Sequence, residues 1–190
     1  DLSPREGSSG ETGEIAYAVA ITQQITATYS GAHWGGIGIE LSDNPKFQAI
    51  GYSGPPYYTV ANGLSTPVVG EWYHLALVFD GNALRLYVNG IEEGSHLFTG
   101  FYPTSMGGNA ALVIGNHLAN QEFNYAFPGL IDNTKLWNRA LLPAEIQNLV
   151  SSTPPDTINT NLIGHWGMNE GIGLYTTDES GSEFATNGTL

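Results

Sequence analysis

The 190 residues carry 18 Asp and Glu against 5 Lys and Arg, a formal net charge of −13, which excludes nucleic acid and anionic membrane surfaces as partners because too few cations are present to displace phosphate counterions. There is no cysteine, so disulfides and thiolate metal sites are excluded, and no apolar run approaches the ~20 residues a helix needs to span a bilayer. A hydrophobic share of 41%, only 12% charged residues and 25 glycines together suit a single domain built from many short strands and tight turns.

Residues 1–14 are rich in Ser, Gly and Glu and read as a loose arm; the start at Asp1, without Met or a leader, suits a processed or excised product. Ile15 to Ala20, the Thr-rich run Ile21 to Tyr29, and Gly35 to Leu41 with its alternating Ile37, Ile39 and Leu41 are predicted strands, antiparallel neighbours in one sheet. Asp43-Asn44-Pro45 marks a turn and Lys46 to Tyr52 a further strand. Gly54-Pro55-Pro56 is a rigid loop that presents Tyr57 and Tyr58.

The stretch 70–90, GEWYHLALVFDGNALRLYVNG, holds two strands and their turns. Trp72 to Phe79 is a run of aromatic, β-branched and aliphatic residues that reads as a buried strand, ended by Asp80-Gly81-Asn82. Leu84, Leu86 and Val88 alternate with Arg85 and Tyr87, the pattern of a half-buried strand, and Asn89-Gly90 is a strong hairpin signal that returns the chain from Ile91. The predicted core contains Trp72, Leu75, Leu77, Leu86, Val88, Ile131, Leu136 and Trp166.

Residues 98–109 read as a long exposed loop, Leu112 to Gly115 as a short strand, and 116–127 as an aromatic- and Asn-rich loop in which Phe123, Tyr125 and Phe127 alternate. Gly129 to Trp137 is a strand with Leu130, Asp132, Thr134 and Leu136 inward and the Lys135 face outward. Pro143 suits the first turn of one short helix over 143–150. Residues 151–161, SSTPPDTINTN, form a polar linker, the single boundary in the chain.

The run W-x-H-x-A, then D-G, then L-x-L-Y-V-N-G resembles the LamG-like, concanavalin A-like jelly-roll family. Residues 129–149, GLIDNTKLWNRALLPAEIQNL, are similar to that family's closing strand and short helix, and LIGHWGMNEGIGLYTTDESG at 162–181 to its opening strand. The resemblance implies an all-β, antiparallel two-sheet sandwich over 1–150, a linker at 151–161, and a strand segment at 162–190. In the family the opening strand precedes the closing one, whereas here it follows. Two placements therefore stay open: 162–190 completes its own sandwich, or it is donated to the open edge of a neighbouring subunit.

Asp132 lies among residues that should point inward, and a buried carboxylate needs a partner. Glu170 and Asp178 lie in the opening-strand motif, which the resemblance places beside the closing strand, so the three carboxylates could form the oxygen cage that Ca²⁺ prefers. Equally, Asp132 accepts backbone hydrogen bonds and the other two are solvated turn residues. Tyr57, Tyr58, Tyr102, Phe123 and Tyr125 are loop aromatics of the kind that stack on sugar rings, or that cover the ends of a core. Asn187-Gly188-Thr189 is an N-glycosylation sequon.

His74 reads as a hydrogen-bonded core residue, and the other histidines lack zinc-ligand spacing. No two carboxylates stand at glycosidase spacing, so no catalytic residue is assigned. The expected function is that of a non-catalytic, secreted or cell-surface adhesive or structural module that binds glycans and calcium. The alternative is a subunit of an extracellular filament or surface layer, a head-to-tail homopolymer built by strand donation; a polysaccharide-active enzyme is the third reading.

Overall fold

A computed structural model describes residues 36–42, 44–52, 58–98, 129–151, 159–183 and 185–189, with short pieces at 13–14, 16–17, 112, 114–115 and 127. In chain order its elements are β1 (Gly13–Glu14), β2 (Ala16–Tyr17), β3 (Gly36–Leu41), β4 (Phe47–Tyr52), β5 (Tyr58–Asn62), β6 (His74–Phe79), β7 (Ala83–Val88), β8 (Ile91–Leu97), β9 (Gly129–Leu130), β10 (Thr134–Trp137), α1 (Pro143–Ser151), β11 (Leu162–Trp166), β12 (Tyr175–Thr176) and β13 (Gly188–Thr189). The larger sheets are β2-β6-β7-β8 and β3-β4-β5, and β10-β11, β12-β13 and β1-β9 form pairs. Most ladders are antiparallel, and the molecule is an all-β sandwich with one short helix among the described residues.

The central hairpin forms where the sequence alternation puts it. Leu77 on β6 stands opposite Leu86 on β7, and Val88 opposite Leu75, so one face of the sheet is uniformly aliphatic. That face meets Ile37, Phe47, Ala49 and Ala61 of the other large sheet, with Tyr73, Phe79, Leu84 and Phe98 completing the main core. Each fully buried aliphatic side chain there contributes roughly 1.5–3 kcal/mol.

The opposite face of β6 and β7 is also covered. Ala76, Val78 and Tyr87 pack with Trp137, Leu141, Ile146 and Leu162 in a second core. This explains why 75–79 is apolar without alternation, the mark of a strand buried on both faces. It also corrects the expectation for Tyr87, which is 3% exposed rather than outward-facing, because α1 and the segment before it cover that face.

Several local expectations need correction. Gly129 to Trp137 is not one strand: Asn133 adopts φ 55°, which ends the extended run after β9 and resets the alternation before β10. Lys135 is buried at 7% exposure next to a buried Thr134, because both faces of β10 are covered, and Leu130 is exposed at 55%. Tyr58 belongs to a strand, opposite Tyr52, not to a loop. At Gly115, φ is 77° and its carbonyl accepts the N–H of Phe127, a turn where a strand was predicted.

β2 pairs parallel with β6, in the sheet opposite β3, because alternation assigns faces but not neighbours. The predicted strand at 21–29 lies outside the described residues.

The helix begins at Pro143, whose missing N–H costs nothing in a first turn. Glu145 reaches back to accept the N–H of Leu142 at 2.7 Å, half of a capping box, and forms a two-pronged pair with Arg139 at 2.7 Å on each arm. Ile146 anchors the buried face. The sequence Pro154-Pro155 soon after Ser151 prevents continuation of the helix.

Beyond the helix the chain returns to β10. β11 pairs antiparallel with it, Thr134 opposite Trp166 and Lys135 opposite His165, with a register irregularity at Leu136/Trp137. Arg139 strengthens the approach by donating Nε to the Thr160 carbonyl at 3.0 Å, and the Asn138 N–H donates to Asn161 O at 3.0 Å.

Candidate functional site

The rim loop from Gly63 to Tyr73 is the most fully specified candidate surface. The Gly63 N–H donates to Phe47 O at 2.9 Å, which ties the loop to β4. Glu93 of β8 accepts the N–H groups of Leu64 and Ser65 through one oxygen at 2.8 Å each, and the Ser65 hydroxyl through the other. A Cβ at Gly63 would meet Phe47 O at 2.6 Å, so glycine is needed for this close approach.

At the far end Gly70 adopts φ 84°, the position that favours glycine in a type II turn, and Glu71 N–H donates to Val68 O at 3.2 Å. The Tyr73 hydroxyl accepts from Val68 N–H at 3.0 Å and donates to the Glu71 carboxylate at 3.4 Å. Its ring lies 5.3 Å from that of Phe47, so the loop is fastened to the core at this end too.

This fastened loop displays Val68, Val69 and Trp72, the indole residue being 45% exposed. The sequence reading placed Trp72 in the core, and the structure corrects it. Counting back by two from Leu75 puts Tyr73 inside and Trp72 outside, a signal legible in the alternation; Tyr73 is 8% exposed.

Of the predicted stacking aromatics, Tyr57, Tyr102, Phe123 and Tyr125 lie outside the described residues. Tyr58 opens β5, and its side chain also lies outside them. Trp72 was missed.

Of the predicted metal carboxylates Asp132, Glu170 and Asp178, the last two accept backbone N–H groups. Glu170 accepts the Thr177 N–H at 2.7 Å through Oε1. Asp178 accepts His165 and Ser180 N–H through Oδ1, and Thr186 N–H through Oδ2. Burial pushes the Asp178 carboxyl up, but these donors with the Ser180 hydroxyl outweigh it and hold the group below its ordinary range. Among the described residues no three His, Cys, Asp or Glu gather as metal ligands.

Asn187 is exposed at the edge of β13 and its Oδ1 accepts the Asp178 N–H at 3.1 Å. His74 lies within β6, with its backbone N–H donating to Asn89 Oδ1 at 2.9 Å.

Three other carboxylates, Asp80, Glu92 and Glu145, pair with arginine. Arg85 bridges Asp80 at 3.1 Å and Glu92 at 3.4 Å, while Arg139 holds Glu145. Hydrogen bonding to Arg139 keeps the Glu145 carboxyl below its ordinary range despite burial. A general acid needs the reverse, a carboxyl raised toward neutral pH. No helix among the described residues is long and apolar enough to cross a membrane.

Residues 16–147 match a laminin G-type family model described as the Concanavalin A-like lectin/glucanases superfamily. The chain is 30% identical over 125 residues to the Sushi, von Willebrand factor type A, EGF and pentraxin domain-containing protein 1 of Rattus norvegicus, and equally to that of Mus musculus. These alignments take in 62% of the chain but span only 3% of the length of either relative. A solved structure of a candidate carbohydrate-binding protein from Bacteroides ovatus ATCC 8483 superimposes with a TM-score of 0.57 at 19% identity. It covers 84% of this chain and 48% of its own, a likeness of architecture.

Proposed function

We propose that this chain, which belongs to the Concanavalin A-like lectin/glucanases superfamily, is a non-catalytic module that binds neutral glycans outside the cell and serves adhesion. The observation that carries the reading is Trp72, a half-exposed indole on a loop pinned at both ends by Glu93 and Tyr73. A flat, preorganised aromatic face suits the apolar C–H face of a pyranose, and little ordering entropy remains to oppose binding. Glu71 beside it offers a carboxylate to sugar hydroxyls. The net charge of −13 disfavours sulfated or uronate-rich chains and leaves neutral sugars as the matching class.

The carbohydrate-binding description of the Bacteroides ovatus neighbour agrees with this reading. The arginine-paired carboxylates support a binding rather than a hydrolytic role. Stacking on Trp72 requires no metal, so binding should persist in EDTA.

Titration with neutral oligosaccharides identified on a glycan array is the test. Trp72→Ala should weaken binding roughly tenfold, the loss of one stacked ring, with the melting temperature unchanged. Absence of glycan binding by the folded protein, or full affinity in the variant, would overturn the assignment.

A further inference from the structure

The described residues of 159–189 bond extensively to one another. Asp178 is their hub: Oδ1 accepts the N–H of His165 at 3.0 Å and of Ser180 at 2.9 Å, and Oδ2 that of Thr186 at 3.0 Å. The Trp166 indole N–H donates to Thr186 O at 3.0 Å, the Asp178 N–H to Asn187 at 3.1 Å, and β12 pairs with β13. A single carboxylate thus joins the strand β11 to both later segments.

Among the described residues, this unit attaches to the rest of the chain through its first strand and the residues just before it. β11 lies along β10, Leu162 enters the second core beside Trp137 and Ile146, and His165 Nε2 and Asn133 Oδ1 are 2.9 Å apart. The family match ends at residue 147, so β10 belongs to the family unit while β11, which covers its edge, lies beyond it. Between them the sequence 152–158 includes consecutive prolines, which limit how sharply a chain can double back.

We propose that 159–189 is an exchangeable unit that seats on β10 of a second copy of this chain through the same contacts it makes within its own. Exchange conserves the β10–β11 register, the Arg139 and Asn138 bonds and the Leu162 packing; only the connecting stretch changes course. The two states therefore differ little in contact energy, and protein concentration sets their ratio. Reciprocal exchange closes a dimer. The open edge of β10 that would invite unrelated strands is covered in both states.

The absence of cysteine makes the test direct. One full-length chain carries Lys135→Cys and a second, of different tag size, carries His165→Cys; these positions face each other across the ladder at a spacing a disulfide can bridge. After joint refolding at high concentration and oxidation, a disulfide joining the two differently sized chains is expected, well above the yield from cysteines placed at Ser65 and Ser95. Yield no higher than that collision control would overturn the proposal.

Because either substitution could impair folding, the unmodified chain provides a second arm. Refolded at high concentration and measured by light scattering, it should contain dimers that a single chain carrying both substitutions, oxidised within itself, cannot form. An unmodified chain that is monomeric after such refolding would also overturn the proposal.

Discussion

Lys135 of β10 stands opposite His165 of β11 across an antiparallel ladder, so the last strand of the family unit is paired along one edge with a strand that lies beyond the unit. Two consequences follow from that register. Lys135 loses the solvent expected on an outer face, and Trp137, on the same face and 1% exposed, seals the second core against Leu162. Leu162, which follows the closing helix in sequence, is thereby packed with Trp137 and Ile146.

The main core rests on the β6–β7 register. Leu86 is fully buried, and Leu86→Ala is expected to cost roughly 2–5 kcal/mol by chemical denaturation, the transfer loss plus an unfilled cavity. A loss below about 1 kcal/mol would mean that the face is less packed than described.

Asp178 should act as a fastener. Asp178→Asn presents an amide donor to at least one of three backbone donors, at a cost of about 1–2 kcal/mol after allowance for its partial exposure. Its folded carboxyl titrates below the ordinary 3.8, so its contribution is complete above that pH and disappears as pH falls through the lowered value. Denaturation of wild type and variant across pH 2–7 should therefore show a gap that narrows only on the acid side, roughly below pH 4. A gap independent of pH would contradict the role.

Tyr87 offers a spectroscopic check on the second core. Burial and then its hydrogen bond to Glu92 at 3.1 Å raise its hydroxyl from 10.0 to about 12. The folded protein resists this ionisation, so the stabilisation is present below pH 10 and is lost as pH rises through about 12. Ultraviolet titration should show a late phenol that Tyr87→Phe removes. Identical titration curves would place Tyr87 in solvent.

Much of this fold was legible in the sequence where local chemistry dictates it. The turns Asp80-Gly81-Asn82 and Asn89-Gly90 bracket β7 as read, since Asp80 Oδ1 accepts the Asn82 and Ala83 N–H groups and Asn89 adopts φ 49°. Pro143 marks the helix start. Tyr87 and Lys135 were misread because alternation shows which side of a strand a residue occupies, while the cover on that side comes from segments far away in sequence.

The candidate site was less legible. Trp72 looked like core because it adjoins an apolar run, yet the strand begins only at His74 and the Gly70 turn reverses the chain just before it. Glu93, which fixes the loop from 28 positions away in sequence, carries no local signal at all. The carboxylates Glu170 and Asp178 were weighed as metal ligands because the opening-strand motif was expected beside the strand of Asp132, and the backbone N–H groups that take up their oxygens come from positions that motif does not single out.

Amide hydrogen exchange of the full chain tests most directly whether 162–166 is an integral strand of this sandwich. Protection of the ladder amides in 162–166 comparable to that in 134–137, with both sets falling together in Asp178→Asn, is the expected result. Exchange of 162–166 at the rate of a free peptide while 134–137 remains protected would contradict it.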